Sequence, residues 1–108
     1  MVDDLTRIFF DPGHYTVMEN CGSVKLSVMR QGGDLNTTMY VDYRSEEGTA
    51  NAGSDYVHVE GTVVFFPEET QKYFPIVIID DDVFEEDEHF FVHLSNARVD
   101  TLQVIIIL

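Results

Sequence analysis

Hydrophobic and polar positions alternate with period two along most of the chain. Val24, Leu26 and Val28 alternate with Lys25, Ser27 and Met29, the pattern of a strand with one buried face. Met39, Val41 and Tyr43 alternate with Tyr40, Asp42 and Arg44 in the same way. Phe74, Ile76 and Ile78 form a third set, and Phe90, Val92 and Leu94 a fourth. Thr62 to Phe66 and Leu102 to Leu108 are apolar on both faces, which predicts interior strands. An opening strand is predicted over Arg7 to Phe10, continuing past Asp11-Pro12-Gly13 into Tyr15-Thr16-Val17.

The segments between these runs carry turn chemistry. Gln31-Gly32-Gly33-Asp34, Glu46-Glu47-Gly48, Asn51-Ala52-Gly53-Ser54-Asp55 and Phe66-Pro67-Glu68-Glu69 each combine Gly or Pro with polar side chains. No window sustains a helical period. About seven short strands with turns every ~8–12 residues indicate an all-β antiparallel sandwich with Greek-key connections. Pro75 falls inside a strand pattern, and its missing N–H assigns it to an edge or a bulge. A chain of 108 residues fits one domain.

Composition leaves the fold unchanged and narrows the chemistry. An apolar fraction of 44% suits a globular core. Twenty Asp and Glu stand against six Lys and Arg, a formal net charge of -14. Too few cations remain to displace counterions from a nucleic acid, and an anionic membrane surface repels such a chain. Its surface attracts cations instead. No apolar stretch approaches the ~20 residues that span a bilayer, so no direct membrane insertion is expected. Cys21 is the sole cysteine; it allows no intrachain disulfide and suits a reducing compartment.

The acid is concentrated. Seven of the nine residues from Asp80 to Glu88 are acidic. The run starts where the Phe74-Ile76-Ile78 alternation stops and ends where Phe90-Val92-Leu94 begins, so it occupies a loop at one end of the sandwich. Carboxylates crowded this way repel, and a divalent cation removes the repulsion. Hard oxygen donors on a flexible loop select Ca²⁺. The loop is not an EF-hand: counted from Asp80, Glu85 stands where the turn glycine is required and Phe91 where the bidentate Glu is required. Glu19 and Asp55 lie in other loops expected at the same end, where they converge on the run.

Enzyme chemistry finds no comparable support. His89 and His93 are four residues apart, roughly 13 Å along a strand, too far for two ligands of one zinc. They read as solvent-facing histidines flanking Phe91. His14 and His58 lack partner acids at catalytic spacing, and no serine sits in a nucleophile elbow.

The segments Gly13-His14-Tyr15-Thr16-Val17-Met18-Glu19-Asn20-Cys21-Gly22, Glu47-Gly48-Thr49-Ala50, Gly53-Ser54-Asp55-Tyr56, Ile79 to Glu88 and His93-Leu94-Ser95-Asn96 together resemble a Calx-β domain. The first of them is similar to the first regulatory Ca²⁺-binding domain of sodium/calcium exchangers. The resemblance spans nearly the whole chain, residues 1–108 as a single Calx-β domain. It implies an immunoglobulin-like sandwich on the cytosolic face of the plasma membrane, part of a multi-pass antiporter. An adjacent second Calx-β domain and the transmembrane part of the exchanger are the implied partners. The implied Ca²⁺ ligands are the carboxylates of Glu19, Asp55, Asp80, Asp81, Glu85 and Glu88 and the carbonyl of Val83. Asp82, Glu86 and Asp87 would add field.

One departure stands against the pattern. Exchanger domains carry a second Asp triplet after the last strand, and this chain ends at Ile105-Ile106-Ile107-Leu108 where it would begin. Fewer ions or weaker binding than the family's multi-ion cluster are expected. A structural or adhesive Calx-β module of a large extracellular or integrin-associated protein is the alternative, and a passive acidic sandwich a third.

Overall fold

The period-two segments become strands: β1 (Arg7–Phe10), β2 (Ser23–Gln31), β3 (Met39–Glu47), β4 (Glu60–Phe65), β5 (Gln71–Val77) and β6 (Phe90–Val99). The computed structural model describes residues 5–80, 86–100 and 106–108. Among these residues the only helical element is a single 3-10 turn, Glu19–Cys21. The strands form two three-stranded sheets, ordered β1-β2-β5 and β4-β3-β6, and every pairing is antiparallel.

The predicted inward residues meet between the sheets. Leu26, Val28, Phe74 and Ile76 come from the first sheet, and Met39, Val41, Val63 and Phe65 from the second; all are buried. Tyr43 stacks on Phe74 across the gap, with ring centroids 4.0 Å apart. This is the antiparallel sandwich that the alternation predicts, with β5 at a sheet edge and Pro75 opposite Lys25 in an unbroken register.

Three strand expectations change. Backbone pairing of β1 stops at Phe10, and residues 14–18 form no strand. The Asp11 N–H still donates to Ser27 O at 3.0 Å, but Pro12 has no N–H to extend the ladder. Tyr15 returns only through its side chain, whose hydroxyl accepts the Ser27 N–H at 2.9 Å. The Thr62 to Phe66 run is not interior, because among the described residues β4 pairs with β3 alone. Its second apolar face is explained by Val64, half-buried opposite Tyr40 on the outer surface of the sheet. Of the predicted Leu102–Leu108 strand, residues 102–105 lie outside the described set, and Ile106, Ile107 and Leu108 are exposed and outside any strand.

Arg30 continues the inward phase of Val24, Leu26 and Val28 and is only 1% exposed. Its guanidinium donates to the main-chain carbonyls of Glu69 (3.0 Å), Thr37 (2.7 Å), Leu35 (3.1 Å) and Phe66 (3.1 Å). It also lies over the Phe65 ring, 5.6 Å from the centroid. One buried cation thereby ties the β2–β3 and β4–β5 connections together at one end of the sandwich.

Candidate metal centre

The opposite end is built by the start of β2, the end of β3, the end of β5 and the start of β6. Register fixes this arrangement: Ser23 pairs with Val77, and Glu47 with Phe90. The described segments meeting there, residues 18–22, 48–59, 78–80 and 86–89, contain no Lys or Arg.

Loop 48–59 bridges the two sheets. Its Ala50 N–H donates to His89 O at 2.9 Å, and its Val57 N–H donates to Val77 O at 3.0 Å. Gly48 permits the first contact, since a Cβ there would lie 2.5 Å from His89 O. Gly53 adopts φ +89, a left-handed turn conformation suited to glycine, and its N–H donates to Tyr56 O at 2.7 Å. The His89 N–H donates to Thr49 Oγ1 at 3.0 Å, so residue 88 enters β6 beside this loop.

Backbone bonds draw the acidic loops together. Asp55 O accepts the Ile79 N–H at 2.9 Å, which sets Asp55 against the segment leading into Asp80. Gly22 O accepts the Ile78 N–H at 3.0 Å, which sets the Glu19–Cys21 turn against the same segment. Asp55 Oδ2 accepts the Asn51 N–H at 2.8 Å and so closes its own loop. Glu47 Oε1 likewise accepts the Ala52 N–H at 2.9 Å.

Of the predicted ligands, Glu19, Asp55, Asp80 and Glu88 therefore belong to loops at one end. Asp81, Val83 and Glu85 lie outside the described residues, as does Asp82. Among the described residues no three His, Cys, Asp or Glu side chains lie close enough to hold a metal. The donor chemistry nevertheless fits Ca²⁺, because the candidate side chains are all carboxylates, hard oxygen donors with no Lys or Arg in the same loops to compete for them.

The histidines behave as read. His89 and His93 flank Phe91, with ring centroids at 5.4 and 6.3 Å, and all three are exposed. His93 pairs with Glu46 on β3 rather than with His89.

Sequence reasoning assigned no role to Tyr56. It is fully buried and stacks on Phe90, with centroids 3.9 Å apart and planes 8° from parallel. Its hydroxyl has no hydrogen-bond partner among the described residues. Burial raises the phenol pKa above its usual value, and the nearby Ser45 hydroxyl opposes part of that shift. The available signal was a large aromatic directly after Asp55 in a loop of small residues.

Comparison with known proteins matches this architecture. The Calx-beta domain profile matches residues 2–107. Over 101 residues the chain is 60% identical to sodium/calcium exchanger 3 of Homo sapiens, which covers 94% of this chain and 11% of that protein. The crystal structure of the apo-form Calx CBD1 domain superposes with a TM-score of 0.84 at 48% identity, covering 86% of this chain and 81% of that one. The crystal structure of the calcium binding domain CBD12 of CALX1.1 gives a TM-score of 0.81 at 49% identity, covering 84% of this chain and 38% of that one. With profile, sequence and sandwich topology in agreement over almost its full length, the chain belongs to the Calx-β domain family.

Proposed function

We propose that the chain is the cytosolic Ca²⁺-sensing regulatory domain of a plasma-membrane sodium/calcium exchanger. The observation that carries this reading is the meeting of acidic loops without Lys or Arg at one end of the sandwich, in a chain whose relatives are exchangers. Those relatives also favour it over an adhesive module. Glu19, Asp55, Asp80, Asp81, Glu85 and Glu88 hold the ion through carboxylates, and Val83 through its carbonyl. Bound Ca²⁺ supplies the positive charge that lets these groups approach.

Without that charge the carboxylates repel, and the loops are held by the backbone bonds at Gly22, Asp55, Val77 and His89. Ordering of this end alters the surface offered to an adjacent second Calx-β domain, an order–disorder switch. The membrane part of the exchanger reads that change; the domain itself carries no ion across. Calorimetric titration of the chain with Ca²⁺ is expected to give a Kd of about 10⁻⁷–10⁻⁵ M, the sensor range. Absence of binding below millimolar Ca²⁺ overturns the sensor reading. Unchanged binding in Glu85→Ala overturns the ligand assignment.

A further inference from the structure

We propose that Tyr56 is a positioning residue for the Ca²⁺ site, a buried pin that holds the Asp55 loop against both sheets. The inference rests on the Ca²⁺ reading above and assigns how that site is kept in shape.

Tyr56 occupies the junction of the described segments that bear Asp55, Asp80 and Glu88, and it reaches the Glu19 turn only indirectly, through Ile78. Its backbone bridges Ala52 within its own loop and Ile78 at the end of β5. Its ring lies flat on Phe90, the first residue of β6, two positions after Glu88. Asp55 precedes it directly, and the Asp55 carbonyl accepts the Ile79 N–H beside Asp80. The first sheet is thus held through Ile78 and the second through Phe90, with the same residue touching both.

The side chain is suited to that task by its ring. Loop 48–59 is otherwise tied down by hydrogen bonds, including those to the Glu47 and Asp55 carboxylates, and by the small buried Ala50; its other large hydrophobics, Val57 and Val59, are less buried. Tyr56 alone in the loop places a large side chain at 0% exposure. The hydroxyl is a different matter: it is buried with no hydrogen bond of normal geometry among the described residues, and the Ser45 hydroxyl offsets only part of its desolvation. Ring and hydroxyl therefore make opposite predictions, which separates positioning from mere presence of a tyrosine.

Calorimetric Ca²⁺ titration of the full chain tests this, beside thermal unfolding in chelator. Tyr56→Phe keeps the stack and is expected to bind Ca²⁺ as the unsubstituted chain does, with an unchanged or raised unfolding midpoint. Tyr56→Leu is expected to weaken binding about ten-fold, which is about 1.4 kcal/mol. Phe90→Leu removes the stack from its other side and is expected to weaken binding in the same direction, which keeps the test open if Tyr56→Leu fails to fold. Val41→Ala empties a core position 1% exposed and remote from the loops; it is expected to lower the midpoint and leave the affinity alone. Full-strength binding by folded Tyr56→Leu or by Phe90→Leu overturns the positioning role alone. Absence of binding by the unsubstituted chain overturns the Ca²⁺ reading, and this proposal with it.

Discussion

Arg30 closes one end of the sandwich by donating to the carbonyls of Leu35, Thr37, Phe66 and Glu69. At the other end, Glu19, Asp55, Asp80 and Glu88 lie in loops that contain no Lys or Arg. Both ends gather oxygen acceptors from separate connections. The first end carries its cation in the chain, at the inward position next in phase after Val28. In the proposed function, the second leaves its cation to the solution. An internal cation makes an end permanent; an external one makes it responsive. In the proposed function, the same sandwich thus has a fixed end and a conditional end, and only the conditional one reports Ca²⁺.

The largest effect is expected from breaking the fixed end. Arg30→Met removes the donor to four part-buried carbonyls and leaves them without that bond. The expected loss is about 3–5 kcal/mol in equilibrium denaturation. Arg30→Lys restores the charge as a compact point but not the planar fork, and should recover only part of it. Ca²⁺ affinity of the folded protein should be unchanged in both. A parallel fall in affinity would show the two ends to be coupled and the contrast between them to be wrong.

A smaller effect is expected from Gly48→Ala at the conditional end. The added Cβ would meet the His89 carbonyl oxygen at 2.5 Å, a backbone atom that yields only if β3 and β6 part near Glu47 and Phe90. Overpacking of this kind costs about 1–3 kcal/mol. Unlike the Arg30 variants, this one should also weaken Ca²⁺ binding severalfold in calorimetry, because residues 88 and 55 are held by the same junction. Loss of stability with full affinity would mean that the site does not depend on the spacing of those loops.

How much of this was legible beforehand depends on whether a feature is carried by one strand or by several. The alternations through Leu26, Val41 and Ile76 identified strands and their inward faces, because burial of one face of a sheet leaves a local period-two trace. The described flanks of the acidic run, Asp80 and Glu86 to Glu88, could be assigned to a loop end for the same reason: the run interrupts two such traces. Strand neighbours are another matter. β4 read as interior because Val64 is apolar, yet among the described residues it is an edge whose outer valine is half covered beside Tyr40. Cover from a neighbouring strand's side chain leaves the same composition as cover from a second layer. Arg30 was legible in phase but not in role, since its carbonyl partners come from connections five to thirty-nine residues away. Tyr56 was hidden similarly, as its stack is made with Phe90 across the sheet gap.

The smallest expected effect is a pH dependence confined to the fixed end. Glu69 Oε2 pairs with Lys72 Nζ at 2.6 Å, and Oε1 accepts the Phe66 N–H at 2.8 Å. Lys72 first, and then that N–H, hold the Glu69 carboxyl below its usual pKa. A depressed carboxylate contributes stability that is fully present above the unfolded value, about 4.3, and is lost as pH falls through the lower folded value. Glu69→Gln removes this contribution while leaving the Glu69 carbonyl for Arg30. The gap in unfolding midpoint between the two proteins should therefore be constant from neutrality down to about pH 5, then narrow on further acidification. Measured in chelator, that profile should be the same with or without Asp55→Asn at the opposite end. A profile that changes with Asp55→Asn would show charge at one end being felt at the other, and the separation of fixed from conditional would fail.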